Sequence, residues 1–158
     1  MFSSCIKASL FISALTGLRH CDLKKLAWGE IHHSESMGYY LRFKQQKTQT
    51  EETLYISQDA RSILGERKDE EQLVFRGLRY SAWYNLKLRE WMLAAGINKH
   101  ITFHCARHTF ATLQLSYGTD IFTVSKLLGH KNLKTTQVYA KVVDQRKIEA
   151  VNRIKISA

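Results

Sequence analysis

The chain has no proline anywhere in its 158 residues. No turn is therefore set by a pyrrolidine ring, and every reversal must come from glycine, asparagine or other polar residues. Cysteine is sparse. Cys5, Cys21 and Cys105 are odd in number and scattered, which excludes a disulfide framework and fits a reducing cytoplasm. No uncharged apolar run approaches the roughly 20 residues that span a bilayer. The apolar stretch from Ala8 to Leu15 is preceded only by Lys7 and is not closed by a small-residue cleavage pattern. It reads as the first helix of a domain rather than a secretion signal. Repeats and low-complexity segments are also missing. Acidic residues are too few to balance the basic ones: 14 Asp and Glu against 24 Lys and Arg, a formal charge of +10. Such an excess points to a polyanionic partner, although composition does not choose among DNA, RNA and an anionic membrane surface. What is present is core material, with 44% hydrophobic and 11% aromatic residues. That excludes general disorder and suits one compact domain over residues 1–158.

Periodicity predicts a mainly α-helical fold with one small three-stranded antiparallel β-sheet inserted early. The spacing of Phe2, Ile6, Ser9, Leu10, Ser13 and Ala14 predicts a helix over residues 2–16, ended by Gly17. A short helix follows from Asp22, its expected cap, to Ala27. The period then changes. Tyr39, Leu41 and Phe43 alternate with Tyr40, Arg42 and Lys44, and Leu54 and Ile56 alternate with Thr53 and Tyr55. With Glu30 to His33 these make three strands, and the polar link from Gln45 to Glu52 is the tip of a hairpin. Helical patterns return over 59–64, over 81–95 with Trp83, Leu86, Trp91 and Leu93 supplying bulk, and over 104–116. Thr119 or Asp120 caps a helix that runs to Leu128, residues 132–139 form a short helical stretch, and residues 144–154 form a last helix. Between residues 66 and 80 only a short strand from Leu73 to Phe75 is expected.

Four segments carry chemistry-bearing residues: Thr16-Gly17-Leu18-Arg19-His20-Cys21-Asp22-Leu23; Lys47-Thr48 at the hairpin tip; His104-Cys105-Ala106-Arg107-His108-Thr109-Phe110-Ala111-Thr112; and Leu127-Leu128-Gly129-His130 followed by Thr135-Thr136-Gln137-Val138-Tyr139. Arg19 and Arg107 stand outside any diffuse charge run. A guanidinium is a planar fork that stays charged and donates paired hydrogen bonds to a phosphate. Tyr139 follows His130 by nine residues.

Together the four segments resemble the phage-integrase family of tyrosine recombinases, in particular the integrases of bacterial mobile elements, over about residues 2–147. The resemblance implies site-specific DNA recombination, integration or excision, through a covalent 3′-phosphotyrosine intermediate. It implies that Arg19 and Arg107 clamp the scissile phosphate and that His104 and His130 hydrogen-bond it or its attacking oxygen. His104 would also assist proton removal, Lys47 would protonate the leaving 5′ oxygen, and Tyr139 would be the nucleophile. A phenol of pKa about 10 is a poor nucleophile at neutral pH, and a phosphodiester is anionic with a basic leaving group. The site must therefore supply cations, a proton acceptor and an acid. No metal, nucleotide or other cofactor is expected, because the arginines stand where a divalent ion stands in other phosphoryl-transfer sites. The expected partners are double-stranded DNA, further copies of the chain in a tetramer joined through the C-terminal helix, and accessory DNA-bending proteins. A membrane is not among them, and the expected location is the bacterial cytoplasm, on DNA. The family usually carries N-terminal DNA-binding domains, which this chain is expected to lack. Cys105 and Ala106 depart from the usual interior of the His-x-x-Arg motif without touching a catalytic position. Tyr55 stands where the family usually has a proline, which loosens the hairpin alignment and leaves Lys44 as a rival to Lys47.

Other readings stay in view. His20, His32, His33 and His100 read as solvated or structural, and His108, about 100° around the helix from Arg107, as a packing or supporting residue. Tyr39, Tyr40, Tyr55, Tyr80, Tyr84 and Tyr117 read as core, interface or surface. Arg76, Arg79 and Lys87 read as a solvated basic face, partly against DNA backbone. Asp22 is either a helix cap or a buttress of Arg19. Cys105, His104, His108 and His130 are zinc-ligand types, but no second Cys or His pair lies at finger-like spacing. The rival functions are type IB topoisomerase-like relaxation, with the same chemistry on a single duplex, and a catalytically inactive basic DNA-binding module.

Overall fold

The computed structural model describes residues 2–47, 49–139 and 151, with side chains from residue 4 onward. Contacts divide the chain into two compact units, Met1–His108 and Thr109–Ala158. The fold is mainly helical with one three-stranded antiparallel sheet, as the periodicity predicts.

In the first unit, α1 (Phe2–Thr16) packs against α2 (His20–Lys25), α3 (Gln58–Leu64) and α4 (Ala82–Ala94). Its buried face carries Ile6, Leu10 and Ile12 together with Ser9, Ser13 and Thr16. Buried hydroxyls are costly unless bonded, and each of these is. Ser9 donates to the Ile6 carbonyl at 2.9 Å, Ser13 to the Leu18 carbonyl at 2.8 Å and Thr16 to the Ile12 carbonyl at 2.6 Å. Gly17 ends the helix at φ 73°, in the left-handed region that a residue with a Cβ disfavours. The chain then turns sharply, and Arg19 begins the next element.

The sheet is β1 (Ile31–Ser34), β2 (Gly38–Lys44) and β3 (Glu51–Tyr55) in that order, with Leu41 paired to both Ile31 and Leu54. Ile31, Leu41, Phe43 and Leu54 are buried while Arg42 and Lys44 are exposed, so alternation aims one face at the core. The segment from 66 to 80 forms no strand of its own. It docks by single bonds on the chain after α2: Trp28 N–H donates to the Gln72 carbonyl at 3.0 Å, Gly29 N–H to the Glu70 carbonyl at 2.9 Å, and Val74 N–H to the Leu26 carbonyl at 2.9 Å. The strand expected at Leu73 to Phe75 is thereby reduced to an isolated bridge between Ala27 and Leu73.

α4 begins at Ser81, whose hydroxyl accepts the Tyr84 N–H. It buries Tyr84, Leu88 and Met92 and leaves Trp83, Leu86 and Leu93 exposed. The expectation that Trp83, Leu86, Trp91 and Leu93 supply the bulk is therefore corrected in part: Trp91 is half-buried with its ring edge-on to Phe11 at 5.8 Å, and the fully buried stripe is the i, i+4, i+8 row of Tyr84, Leu88 and Met92. α5 (Phe103–Ser116) contains the boundary between the units. In the second unit, α6 (Ile121–Leu127) is capped by Asp120, which accepts the Thr123 N–H at 2.9 Å. Phe110, Ala111, Leu115, Val124 and Leu128 form its apolar core together with Tyr139. The short helix expected over 132–139 is two 3-10 turns, Leu133–Thr135 and Gln137–Tyr139. The expected helix over 144–154 lies outside the described residues apart from Val151, which is helical and exposed. No helix among the described residues is long and apolar enough to cross a membrane.

Candidate active site

Arg19 stands at the first turn of α2, as the residue just before the helix, with extended backbone (φ −73°, ψ 151°). Its Nη1 donates to Gln45 Oε1 at 2.6 Å and lies 3.8 Å from Asp22 Oδ2. Asp22 was expected as a cap of a helix starting there. Instead the helix starts earlier, at His20, and Asp22 is 3% exposed within the first turn. Its carboxylate is committed to partners distant in sequence or beside it: Oδ1 accepts the Gln46 N–H at 2.8 Å and Oδ2 faces Arg19. Of its two sequence readings, the buttress of Arg19 is the one that the contact favours.

Arg107, on α5, is 8% exposed, and its Nη1 donates to the carbonyl of Gly17. A buried guanidinium is costly without acceptors. The carbonyl freed where Gly17 turns the chain supplies one, and it lies two residues before Arg19. The structure thus brings both arginines to one short segment. His104 is exposed on α5, three residues before Arg107, and its ring meets His108 edge-on at 4.3 Å between centroids. Burial pushes the His108 pKa down, and the neighbouring His104 and Arg107 add to that. His108 therefore stays neutral more readily than a free imidazole, as fits the supporting role expected for it.

Lys47 is exposed in the turn of the β2–β3 hairpin. Lys44, its rival, is exposed at the end of β2, where its backbone carbonyl accepts from Lys25 Nζ.

In the second unit, His130 follows Gly129, whose φ is 59°. Its Nδ1 is 2.8 Å from Thr136 Oγ1, and its N–H donates to the Ser125 carbonyl at 3.0 Å. Thr136 is fully buried. Tyr139, 8% exposed, is held by its N–H to the Thr136 carbonyl at 3.1 Å and by the core around Leu128 and Val124. Thr136 is thus bonded through its hydroxyl to His130 and through its backbone to Tyr139.

Sequence reasoning missed Gln45 and Thr136. Gln45 had a signal: it continues the inward-facing series Leu41, Phe43, Gln45, so a polar residue was placed on the buried face, and it is 5% exposed. His20 is structural rather than solvated. Its ring packs edge-on against Phe103 at 4.7 Å and Tyr80 at 5.6 Å, and its Nε2 is buried without a hydrogen-bond partner. Among the described residues no three His, Cys, Asp or Glu side chains gather as a metal site.

The chain thus combines a mainly helical fold, one inserted three-stranded sheet, a buried arginine bonded two residues before a second one, and a buried tyrosine nine residues after a histidine. The chain belongs to the Phage integrase family, whose profile matches residues 3–146. It is 33% identical over 132 residues to the tyrosine recombinase XerA of Saccharolobus solfataricus, covering 81% of this chain and 43% of that protein. Over 138 residues it is 36% identical to XerC of Escherichia coli, covering 84% of this chain and 44% of that protein. The chain therefore spans less than half the length of these curated relatives. Solved structures share the fold. The crystal structure of XerA recombinase matches with a TM-score of 0.72 at 24% identity, over 97% of this chain and 58% of that one. The catalytic domain of bacteriophage HP1 integrase matches with a TM-score of 0.65 at 22% identity, over 92% and 79%. XerH recombinase, solved on its difH substrate after cleavage, matches with a TM-score of 0.70 at 21% identity, over 94% and 45%.

Proposed function

We propose that the chain is the catalytic part of a site-specific tyrosine recombinase, which cuts and rejoins double-stranded DNA. The observation that carries this reading is the buried Arg107 donating to the Gly17 carbonyl, two residues from Arg19. A guanidinium anchored on the backbone two residues before a second arginine supports a pair that serves the two non-bridging oxygens of one phosphodiester.

In this reading Arg19, Lys47, His104, Arg107, His130 and Tyr139 act on one phosphate. The Tyr139 oxygen attacks phosphorus while its proton passes to His104. The bond from phosphorus to the 5′ oxygen breaks, and Lys47 gives that oxygen its proton. The product is a 3′-phosphotyrosine and a free 5′ hydroxyl. Attack by a 5′ hydroxyl on the phosphotyrosine reverses the step, so the energy of the phosphodiester is conserved and no nucleotide is consumed. The charge stabilisation comes from arginine, lysine and histidine, a donor set with no carboxylate cluster for a hard divalent cation. Assembly of several copies on DNA through residues 143–158 is part of the reading.

A nicked suicide substrate tests it. After cleavage the short 5′-hydroxyl strand diffuses away, and the protein stays attached to DNA through a bond that resists denaturant. The chain should form that adduct, also in EDTA, and Tyr139→Phe should form none while binding DNA with unchanged affinity. An adduct that survives Tyr139→Phe would sink the assignment. Loss of the adduct in chelator, with recovery on adding metal, would remove the metal-free mechanism.

A further inference from the structure

Helix α2 grips the hairpin just before its tip, at three consecutive residues. Lys25 Nζ donates to the Lys44 carbonyl. Arg19 Nη1 donates to Gln45 Oε1 at 2.6 Å, and Asp22 Oδ1 accepts the Gln46 N–H at 2.8 Å. The next residue is Lys47. Within the hairpin, Gln45 N–H donates to the Thr50 carbonyl at 2.8 Å and Gln49 N–H to the Gln45 carbonyl at 2.9 Å, with Gln49 at a positive φ of 58°. Gln45 is thus the junction: its backbone closes the turn on both sides, and its side chain is bonded to an arginine of the candidate site. It is buried although its neighbours Lys44 and Gln46 are exposed.

We infer that Gln45 is a positioning residue that ties Lys47 to Arg19, so that the arginine binding the phosphate also fixes the root of the lysine that protonates the leaving group. This rests on the reading of Arg19 and Lys47 given above. The geometry is sufficient for it. Two residues of extended chain span about 7 Å, so the Lys47 backbone stays within a side chain's length of whatever Arg19 holds. An arginine-to-amide bond with its charged donor is stronger than a neutral one, and Gln45 lies away from solvent competition. Lys47 itself is exposed in the turn, two residues after Gln45. A general acid contributes only when it is held within hydrogen-bond reach of the leaving oxygen. A tether at its base therefore affects the rate without touching the substrate.

Two measurements test the inference on the full chain. The first is amide exchange over residues 45–50 without DNA. Both Gln45→Ala and Arg19→Ala should accelerate exchange by about 10-fold or more, as loss of a hydrogen bond to a charged group allows. Gln45→Glu, which keeps an acceptor oxygen, should retain the protection. Unchanged exchange in Arg19→Ala overturns the tether. The second is cleavage of suicide substrates with an ordinary or a sulfur-substituted 5′ leaving atom. Sulfur leaves without protonation, so Lys47→Ala should be slow on oxygen and restored on sulfur. Gln45→Ala should follow it, about 10-fold slow on oxygen and near wild type on sulfur. Equal loss on both substrates would show that Gln45 serves only the phosphate clamp, which overturns the inference. If Lys47→Ala is not rescued by sulfur, the assignment of Lys47 as the acid falls, and the exchange experiment still decides whether Arg19 and the hairpin are tied.

Discussion

The bond between His130 Nδ1 and the hydroxyl of the buried Thr136 sets the orientation of the imidazole. In the proposed site Nε2 is the nitrogen that meets the phosphate. Thr136→Val keeps the branched shape but removes the hydroxyl. Cleavage should fall roughly 10- to 100-fold, the range expected when a catalytic group is misplaced, and Thr136→Ser should restore most of it. A Thr136→Val protein as active as wild type would remove the role. Two other histidines give a pH expectation. Burial lowers the pKa of His20 from 6.5, helped by Lys24, and burial lowers that of His108 from 6.5, helped by His104 and Arg107. The folded state therefore resists protons that the unfolded chain accepts. The stability is fully present above pH 6.5 and is lost as pH falls from there through the lowered folded values. Urea midpoints should drop between about pH 7.5 and 5.5. His20→Phe, which keeps the edge-on contacts and cannot titrate, should flatten the drop, and a slope as steep as wild type would show that His20 contributes nothing. His20 illustrates what sequence hides. Its sequence reading left solvated and structural both open, and only the fold brings Phe103 and Tyr80 against it.

Helix α4 shows how a correct element can be read in the wrong rotation. Its extent, read as 81–95 and found as Ala82–Ala94, was legible, because the glycine that follows it is a local signal. Its apolar residues are spread around the cylinder, so size alone favoured Trp83, Leu86, Trp91 and Leu93, of which only Trp91 is half-buried, over the buried row of Tyr84, Leu88 and Met92. The observed phase makes a sharp contrast. Leu88→Ala should cost about 2–5 kcal/mol by opening a cavity, while Leu86→Ala, at a half-exposed position, should stay within about 0.5 kcal/mol. Chemical denaturation of the two variants checks it, and equal losses would refute the assigned phase. The sheet was legible because its alternation is clean and its register follows from Leu41 pairing inward with Ile31 and Leu54. Residues 66–80 were not, because their order comes from single bonds to residues 26–29 that leave no period in the sequence. The same holds within the site. Arg19 and Arg107 were singled out as candidates through the family resemblance, whereas the Gly17 carbonyl that receives Arg107 and the Gln45 amide that receives Arg19 are contacts made only by the fold.

Across the whole molecule the dominant physical quantity is charge. The formal excess of +10 is carried on exposed cations in both units, among them Lys24, Lys44 and Lys47 in the first and Lys126, Lys131 and Lys134 in the second. Few of these are committed internally: the ion pairs among the described residues are Arg19 with Asp22, Arg67 with Glu70, and Lys87 with Glu90. A surface of this kind binds DNA by releasing condensed counterions, and each phosphate neutralised contributes about −0.9 to the slope of log affinity against log salt. If five to eight phosphates are engaged, the slope is about −5 to −7, and affinity falls by roughly three to four orders of magnitude between about 50 and 200 mM salt. The free energy of such binding is carried by phosphate contacts, which position a protein without reading sequence. The chain by itself should therefore bind unrelated duplexes of equal length almost equally, with that steep slope. Substituting Lys126, Lys131 and Lys134 together by Gln should make the slope shallower by up to about 3, one step for each lysine that meets a phosphate. Titration of labelled duplexes over a salt series measures both quantities. An affinity that hardly changes with salt, or that strongly favours one sequence at physiological ionic strength, would mean that base contacts rather than this distributed charge dominate the binding.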